Sequence, residues 1–558
     1  MQRLDKQSIV ILSALFAALM IGLSIWGAHQ SYTVVPYWDM WEAVDFFLKA
    51  DKGETAVWWN QHNEHRIVLT RLLVWAVLKW FGGSSIFLIG LNYLFAGLAS
   101  LLFWRILRAT TQTERPSTGE VCFGFMITAS LFLWSQYDNL TVPFQSQFFL
   151  VSLLPLFALY LLHKATGITR SYSYFFIACI FGFASILTMA NGVFILPLMV
   201  LYAITTRQSK ARVFGLIILT GFSLALYLHN YHRPIGHGSI QEAIIHNPLR
   251  LFVYVLSYLG SPFYFLFKSK LITWLLGFVF LCCSMIATVQ LLPKRAKASL
   301  KLVLLFFIFY IEITAFCTGG GRVLFGVTQA LTSRYTTPAL MAWVALLILY
   351  IPSILATMRN RYKKQRALVY CILIFVTAVL MLRLQSEALI VPPELFDREV
   401  AALALGLGVN DSEQIKQIYP GSERALALAK EASIKNISVF GVYPFREMRQ
   451  LGNTVPQSAL PTCLAGNIKH VARVADKRFV WVNGWLRPSK AKSRMIRFLN
   501  NKNQVVGYAL IEKKTTKKLY EGYILRDQLN KGLRLQGDDF TCQMDVDVAI
   551  LNLGEGVL

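Results

Sequence analysis

Long apolar runs limit the folds open to this chain more than any other feature of its sequence. Runs of roughly twenty apolar residues recur up to about residue 384, and this is the length that a helix needs to cross the hydrocarbon core of a bilayer. Of the 558 residues, 55% are hydrophobic and only 15% are charged, whereas a soluble protein carries about a quarter charged residues. The sequence therefore predicts a polytopic α-helical membrane protein.

The apolar runs predict about eleven transmembrane helices. We place them at 8–28, 85–107, 120–135, 147–163, 172–189, 191–206, 213–229, 271–292, 301–317, 337–357 and 367–384. Two further apolar segments, 66–81 and 251–267, are predicted to be helices that lie in or dip into the outer interface. Counting either segment alone as a span would invert the charge pattern of the loops that follow it.

The basic residues predict the orientation of the chain. The formal net charge is +25, and much of it lies in short clusters between apolar runs, near Arg105, Lys164, Arg207, Lys294 and Arg359. Short basic loops are typical of cytoplasmic connections. An N-terminus in the cytoplasm places all these clusters there, and the C-terminal region then lies outside. The charge thus favours membrane topology and contact with membrane lipids over nucleic-acid binding.

The character of the sequence changes near residue 390, which predicts a membrane domain at 1–389 and an extracytoplasmic domain at 390–558. Helical periodicity at 392–436 is followed, from about residue 465, by short alternating runs separated by turn signals. This pattern predicts an α+β domain that contains a β-sandwich. Trp481, Trp485 and Tyr508 alternate along its strands, and we interpret them as core residues rather than as sugar-stacking residues.

The cysteines and histidines predict no metal site. Six of the eight cysteines lie in apolar runs and behave as small hydrophobic residues. Cys463 and Cys542 lie in the polar region, where an extracytoplasmic environment would allow them to form a disulfide. The histidines between residues 229 and 246 do not have the spacing of metal ligands, and we interpret them as lipid-headgroup contacts.

The first predicted outward loop, residues 29–65, carries the densest group of ionisable side chains. Asp39 and Glu42 stand three residues apart among aromatic side chains, just after the first span. A second group follows along the chain: His62, Glu64, His65 and Arg66. In the alternative interpretation, Trp and Arg anchor the interface and the acids form simple ion pairs. The crowding favours a functional site.

Two other predicted outward loops carry polar groups that suit a phosphorylated sugar. Residues 318–336 contain three consecutive glycines, then Arg322, Arg334 and Tyr335 next to an apolar run. Both arginines suit a lipid phosphate, although contact with lipid headgroups is the alternative. Residues 136–146 include Asp138 and Gln145, which suit sugar hydroxyls; hydrogen bonding between helices is the alternative there.

This layout resembles the GT-C superfamily of polyprenyl-phosphate-dependent glycosyltransferases, which includes protein mannosyltransferases and the aminoarabinose transferase of lipid A. It also resembles bacterial relatives that modify O-antigen or glycosylate pilin. The resemblance covers the layout of the membrane part, and at motif level it is confined to Trp38-Asp39-Met-Trp-Glu42 in the first loop. It implies an essential acid in that loop and a bacterial inner-membrane enzyme with a periplasmic C-terminal domain. Several relatives have two adjacent acids, whereas Asp39 and Glu42 are separated.

The chemistry that the resemblance implies assigns roles to these residues. Phosphate leaves as a stable anion, so the second carboxylic acid of a glycosidase is unnecessary. A carboxylate that deprotonates the acceptor hydroxyl contributes roughly 10²–10⁴-fold; Asp39 is our candidate, with Glu42 as the substitute. The predicted phosphate ligands are His65, Arg66, Arg322, Arg334 and Tyr335. The predicted sugar or acceptor ligands are His62, Glu64, Asp138 and Gln145.

The predicted function is therefore a hexosyl- or pentosyltransferase that uses a polyprenyl-phosphate-linked sugar donor. The acceptor would be a cell-surface glycan, lipid or protein, no cofactor is required, and a role for a divalent cation stays open. One alternative is an O-antigen ligase or polymerase, although these usually carry the catalytic loop late in the chain. Another is a transporter or flippase of lipid-linked glycans, for which Glu312 would be the mid-membrane acid. A non-enzymatic scaffold fits the crowded ionisable residues less well.

Overall fold

The computed structural model contains a helical part and a mixed α/β part. It describes residues 2–546, apart from gaps at 112–115, 167–170, 235, 296–298, 362–365, 457–459, 461, 463–464, 488–492, 513–517, 530–531 and 544. The chain divides into two units. The helical unit comprises Met1–Tyr32, Trp58–Leu73 and Ile86–Val391. The mixed unit comprises Thr33–Val57, Val74–Ser85 and Pro392–Leu558, so it includes most of the first predicted loop.

The helices follow the apolar runs of the sequence. In chain order they are α1 (Gln2–Gln30), α2 (Asp39–Asp51), α3 (Val68–Trp80), α4 (Ile86–Thr111), α5 (Thr118–Leu131), α6 (Tyr137–Thr141), α7 (Ser146–Lys164), α8 (Ser171–Ser185), α9 (Ile195–Thr205), α10 (Lys210–Leu228), α11 (Ile240–His246), α12 (Pro248–Phe267), α13 (Lys270–Leu291), α14 (Ser299–Arg322), α15 (Thr336–Arg361), α16 (Arg366–Gln385), α17 (Leu395–Leu407), α18 (Ser412–Ile415) and α19 (Ser422–Ile434). Short 3₁₀ turns connect many of them.

Nine helical stretches in the described part of the chain are long and apolar enough to cross a membrane. They are Lys6–Gln30, Ile86–Thr111, Thr118–Thr141, Pro143–Lys164, Lys210–Leu228, Pro248–Phe267, Lys270–Leu291, Ser299–Phe325 and Ser333–Ile354. The expectation of a multi-pass membrane protein is thereby confirmed, although this number differs from the eleven spans predicted.

Four segments account for the difference between the predicted and observed spans, and one of them is the predicted span 367–384, which lies within α16 but is not among the nine. The predicted spans 172–189 and 191–206 correspond to shorter apolar helices, Tyr172–Ser185 and Ala190–Thr205. The segment 251–267, predicted to be interfacial, belongs to α12, whose 20 residues are long enough to span. Helix α3 has only 13 residues, too few to span. Helix length and composition thus select a different set of membrane spans from the set that loop charge predicted.

The core of the helical unit is built around α7 and α14. Most side chains of both helices are buried, which is why neither shows an amphipathic pattern in the sequence. Aromatic pairs connect the surrounding helices: Phe103 of α4 contacts Phe307, and Tyr202 of α9 contacts Phe306. Most of the large apolar residues on α10 and α13 remain exposed, as expected for lipid-facing helices.

The mixed unit contains one eight-stranded sheet among its described residues. The strands are β1 (Ala465–Arg473), β2 (Phe479–Arg487), β3 (Met495–Leu499), β4 (Val505–Ile511), β5 (Lys518–Leu525), β6 (Arg534–Gln536), β7 (Thr541–Gln543) and β8 (Asp545–Val546). Their order across the sheet is β7-β6-β3-β4-β5-β2-β1-β8. All pairs are antiparallel except β1 with β8.

The strand pairing corrects the expectation of a β-sandwich. Alternating apolar residues predicted the strands, but such a pattern does not say which strands pair, and here they join into one sheet. An isolated bridge between Thr462 and Thr541 brings the chain just before β1 next to β7, so the sheet curls towards closure. The domain is therefore an α+β domain with a strongly curved sheet instead of two packed sheets.

Two separate apolar cores stabilise the sheet, one on each face. One face packs Tyr508 and Tyr523 against α17 and α19. The same core includes Trp41, Val44 and Leu48 of α2, which explains why this early helix belongs to the mixed unit. The other face buries a second cluster that includes Val482, Phe498 and Tyr520.

Candidate functional site

Glu64 is the centre of an ionic cluster in the helical unit. Arg322 at the end of α14 donates to Glu64 Oε1 from Nη2 at 2.7 Å and from Nε at 3.2 Å. His237 Nδ1 lies 3.2 Å from Glu64 Oε2, and His65 Nε2 lies 3.7 Å from Oε1. We call these four residues the Glu64 cluster. It joins side chains from residues 29–65, 230–250 and 318–336, all of which are predicted to be outward loops.

The electrostatics of the cluster keep Glu64 ionised. Burial by itself would raise the pKa of Glu64, but interactions with His65 and Arg322 outweigh it and lower the pKa to about 2. The Ala190 N–H donates to His65 Nδ1, so the proton of a neutral His65 sits on the nitrogen that faces Glu64. A carboxylate with so low a pKa is a poor general base at neutral pH. Glu64 is better suited to hold Arg322 in place.

Arg66 is bonded to the protein backbone. Its Nε donates to the Tyr227 carbonyl at 2.9 Å, Nη1 to the Trp59 carbonyl at 2.6 Å and Nη2 to the His229 carbonyl at 2.6 Å. Only 2% of the residue is exposed, and burial lowers the pKa of its guanidinium. Arg66 thus fastens the first predicted loop to the end of α10. Its predicted contact with phosphate stays a prediction, and these bonds do not favour it.

The segments 134–145 and 333–337 are tied together by polar bonds. The Asp138 N–H donates to Ser333 Oγ at 3.0 Å, and Asn139 Nδ2 donates to the Arg334 carbonyl at 2.8 Å. Thr337 Oγ1 donates to Gln136 Oε1 at 2.6 Å. The ring of His62, from the first predicted loop, lies 5.3 Å from that of Phe144. Polar segments distant in sequence therefore meet in the helical unit.

Arg334 and Tyr335 are adjacent in sequence but differ in environment. Tyr335 is 5% exposed and packs between Phe148, at a ring distance of 6.1 Å, and Tyr258, at 5.2 Å. Arg334 is partly exposed, and its guanidinium has no hydrogen-bond or ion-pair partner among the described residues. An arginine that lacks a protein partner beside apolar helices is suited to bind an anion from outside the chain.

Several buried oxygen atoms next to these segments lack a partner. No described residue hydrogen-bonds to the side-chain oxygens of Ser135, Gln145, Ser146, Gln147 and Thr336. Buried polar atoms are almost always hydrogen-bonded, because leaving one unsatisfied costs about 1–3 kcal/mol. Bound water or a polar ligand would satisfy these atoms. Gln145, predicted to contact sugar, is one of these residues.

Asp39 begins α2 in the mixed unit. The preceding Trp38 has φ 47° and ψ −111°, a conformation that L-residues other than glycine rarely adopt. The Trp38 N–H donates to the Ile418 carbonyl at 2.8 Å, which helps to hold this turn. Asp39 is partly exposed in the first turn of the helix, where the helix dipole stabilises a negative charge. Strained backbone of this kind is often found at functional sites.

Glu42, one turn further along α2, is bonded on both oxygens. Tyr419 donates to Oε1 at 2.5 Å, and Arg424 Nη2 donates to Oε2 at 2.6 Å. Arg424 also donates to Asp45 Oδ2 at 3.2 Å. Burial, followed by the bond to Glu42, raises the pKa of Tyr419 to about 12. Glu42 thus anchors α2 to the C-terminal helices.

The predicted disulfide is only partly within the described residues. Cys542 in β7 is disulfide-bonded. Cys463 lies outside the described residues, and its neighbour Thr462 bridges to Thr541. The pairing of Cys463 with Cys542 stays a prediction.

Sequence reasoning missed His237, Tyr419 and Arg424. The histidine-rich segment 229–246 was recognised, but nothing in its spacing pointed to Glu64. Arg424 lies 382 residues from Glu42, and a lone arginine on a polar helix carries no signal of such a pairing. The described residues also include no group of three or more His, Cys, Asp or Glu side chains that could hold a metal ion.

Comparisons with known proteins found no relative of this chain. No family model matches the chain, and neither a curated protein nor a solved structure matches it.

Proposed function

We propose that this chain is an integral-membrane glycosyltransferase of GT-C type. It would transfer a sugar from a polyprenyl-phosphate-linked donor to a glycan, lipid or protein acceptor at the outer face of the bacterial inner membrane. The observation that carries the proposal is the polar assembly in the helical unit. There, side chains from the predicted outward loops 29–65, 136–146, 230–250 and 318–336 meet beside apolar helices, and among the described residues neither the Arg334 guanidinium nor several buried oxygens have a partner.

The proposed donor site uses two arginines and several polar side chains of the helical unit. Arg334 would bind the donor phosphate, because its planar guanidinium can form two parallel bonds to phosphate oxygens. Arg322, held by Glu64, would contribute a fixed positive charge nearby. The unpartnered oxygens of residues such as Gln145 and Thr336 would accept hydrogen bonds from sugar hydroxyls.

Asp39 is the proposed base for the acceptor hydroxyl. Its position in the first turn of α2 favours the ionised form that a base needs. Glu42, whose oxygens accept bonds from Tyr419 and Arg424, is the substitute candidate. The bond to the anomeric carbon would then form from the acceptor oxygen, while phosphate leaves with the electron pair of the broken bond.

The first test of the proposal compares cells that carry the wild type, Asp39→Asn, Glu42→Gln or no copy of the protein. Mass spectrometry would measure the modified cell-surface glycans and the lipid-linked sugars. We expect the modification with the wild type, its loss with Asp39→Asn, and accumulation of the unused donor. Glu42→Gln, the matched control on the same helix, should retain most of the modification. Wild-type modification in cells carrying Asp39→Asn would rule out Asp39 as the base.

Identification of the lipid that co-purifies with the protein distinguishes a glycosyltransferase from an O-antigen ligase or polymerase. A polyprenyl monophosphate that carries one sugar would support the transferase. A polyprenyl diphosphate that carries a long glycan would favour an O-antigen ligase or polymerase instead. Arg334→Gln is the control, and it should reduce the amount of bound lipid in either case.

A further inference from the structure

The start of α12 packs against the end of α14. A Cβ atom on Gly319, one turn before α14 ends, would lie 2.8 Å from the Leu251 side chain in the first turn of α12. The glycine therefore allows the two helices to approach closely. Arg322, the last residue of α14, donates to Glu64. The first turn of α12 thus lies on the side of the helical unit that carries the Glu64 cluster.

The end of α12 packs against the ends of α5 and α16. Leu266 is buried in one core with Leu133, which closely follows α5, and with Leu384 of α16. Lys268, the residue after α12, pairs with Glu387 at 3.2 Å, just beyond the end of α16. These contacts define where in the helical unit α12 ends.

The end of α5 lies on the side of the Glu64 cluster as well. Asn139, in the segment that follows α5, donates to the carbonyl of Arg334, which precedes α15. Tyr335, the neighbour of Arg334, lies close enough to Arg322 to interact with it electrostatically. Both ends of α12 are therefore on one side of the helical unit.

An α12 that crossed the bilayer would end elsewhere. Its 20 residues extend about 30 Å, which is the thickness of the hydrocarbon core, so a crossing helix would end on the opposite side of the unit. On that side α14 begins at Ser299 and α9 ends, because Tyr202 of α9 donates to the Ser299 carbonyl at 3.0 Å. The contacts of Leu266 and Lys268 are instead with the ends of α5 and α16.

The direction of α13 agrees with this placement. Tyr350 of α15 donates to the Cys283 carbonyl of α13 at 2.7 Å, and each residue lies about four turns from the start of its helix. Trp343 and Phe280, nearer to those starts, pack with their rings 5.2 Å apart. The two helices therefore run in parallel and begin on one side. Since α15 begins next to Arg334, α13 begins on that side too, directly after α12.

The segment formed by α11 and the start of α12 has an uncovered apolar surface. Ile245 is 60% exposed, Leu249 73% and Phe252 46%. His246 and Arg250 alternate with them along the chain and are also exposed. Large apolar side chains beside basic ones are typical of helices that lie in a bilayer interface. Because α13 enters the membrane from this side, the surface lies at the level of the lipid headgroups.

We propose that α12 does not cross the bilayer, and that α11 and α12 lie together in one leaflet, on the side of the Glu64 cluster. Their partner is phospholipid: Ile245, Leu249 and Phe252 would contact acyl chains, and Arg250 would contact phosphate groups. One of the nine helical stretches that are long and apolar enough to cross a membrane is then not a span. The proposal does not depend on the glycosyltransferase function.

The test labels single introduced cysteines with a membrane-impermeant maleimide added to spheroplasts that carry the full-length protein. Gln241→Cys lies before α12, Lys270→Cys closely after it and Lys294→Cys after α13, and all three positions are exposed. Peptide mass spectrometry locates the label, so the native cysteines do not interfere. We expect Gln241→Cys and Lys270→Cys to be both labelled or both protected, and Lys294→Cys to give the opposite result. Permeabilised spheroplasts are the control, in which all three should be labelled.

A spanning α12 gives a different pattern, in which Gln241→Cys and Lys294→Cys agree and Lys270→Cys differs from both. Any result in which Gln241→Cys and Lys270→Cys differ, or in which Lys294→Cys matches Lys270→Cys, would overturn the proposal. If Gln241→Cys or Lys270→Cys does not accumulate in the membrane, Glu242→Cys or Ser269→Cys takes its place.

Leu249→Cys tests the contact with lipid. Leu249 is 73% exposed, so the neighbouring side chains of the protein do not shield this position. Maleimide reacts with the thiolate, which acyl chains disfavour, and we expect labelling at least about 10-fold slower than that of Gln241→Cys in permeabilised spheroplasts. Labelling as fast as that of Gln241→Cys would show that water covers this surface, and would overturn the proposed lipid contact.

Discussion

Two acid–arginine pairs, one in each unit, have the same chemistry in different environments. In the helical unit the side chains of Arg322 and Glu64 are 15% and 22% exposed. In the mixed unit those of Arg424 and Glu42 are 51% and 28% exposed. Water screens the second pair far more than the first. Burial, more than the identity of the partners, therefore determines how much each pair matters for stability.

The comparison also separates arginines that hold the fold from arginines that can bind a ligand. Arg66, Arg322 and Arg424 all donate to protein acceptors. The guanidinium of Arg334 has no such acceptor among the described residues. The following predictions test these distinctions.

The largest effect is expected from breaking the buried pair. Arg322→Ala leaves the buried carboxylate of Glu64 without its guanidinium partner, and loss of one partner of a buried pair typically costs about 3–5 kcal/mol. Denaturant unfolding of the purified protein in detergent measures this loss. The double variant with Glu64→Ala should recover part of it, because neither charge then remains buried alone. Additive losses in the double variant would show that the pair is not coupled.

The next effect concerns Arg334. Replacement by Gln would remove the two charge-assisted hydrogen bonds that we propose Arg334 makes to the donor phosphate, and we expect donor affinity to fall about 10–100-fold. Arg334→Lys, the matched control, keeps the charge but loses the planar fork, so its affinity should be intermediate. Equilibrium binding of polyprenyl phosphate measures both variants. Unchanged affinity in Arg334→Gln would place the phosphate elsewhere.

A smaller effect is expected from the exposed pair. Arg424→Ala should reduce the free energy of unfolding by only about 0–1 kcal/mol, because water already screens its ion pairs. Hydrogen–deuterium exchange should nevertheless become faster along α2, whose acids Glu42 and Asp45 lose a partner. Arg478→Ala, which breaks an exposed pair with Asp476, is the control and should leave α2 unchanged.

The smallest effect concerns the pH dependence of stability. The pKa of Glu521 in the folded protein is about 7 against an ordinary value of 4.5. The folded state holds this proton more tightly, so the free energy of unfolding falls as the pH rises from 4.5 through 7. Glu521→Gln should therefore melt about 1 °C above the wild type at pH 8 and equally with it at pH 4. A higher melting temperature at pH 4 alone would contradict the assigned shift.

The sequence predicts the membrane-protein class well and the helix assignments less well. Runs such as 8–28 predict helices by length alone. The placement of 251–267 depended on loop charges, and the helix that contains this segment proved long enough to span. Loop charge sets orientation, whereas the hydrophobic length of a segment sets whether it can cross.

Contacts between elements that are distant in the chain could not be predicted from the sequence. Trp41, Val44 and Leu48 follow helical spacing, so α2 could be recognised as an amphipathic helix that needs an apolar partner. Nothing local indicates that this partner is α17 and α19, more than 350 residues later. The pairing of the strands into a single sheet was missed for the same reason, because alternation of apolar residues predicts strands but not which strands are neighbours.

The candidate site shows the same division. Crowded ionisable residues identified Asp39, Glu64 and Arg322 from the sequence. The bonds of Glu42 to Tyr419 and Arg424, and the absence of a partner for the Arg334 guanidinium among the described residues, depend on tertiary contacts that the sequence does not reveal. Residue types therefore predict the chemistry of the site, and the fold assigns the roles.

The most direct measurement is the steady-state rate of sugar transfer by purified Asp39→Asn, with a polyprenyl-phosphate sugar as donor. We predict a fall in kcat of roughly 10²–10⁴-fold, because the variant loses its general base, and an unchanged KM for the donor. Glu42→Gln should stay within a few fold of the wild type. A wild-type kcat in Asp39→Asn would contradict the assignment of the first-loop carboxylate as the base.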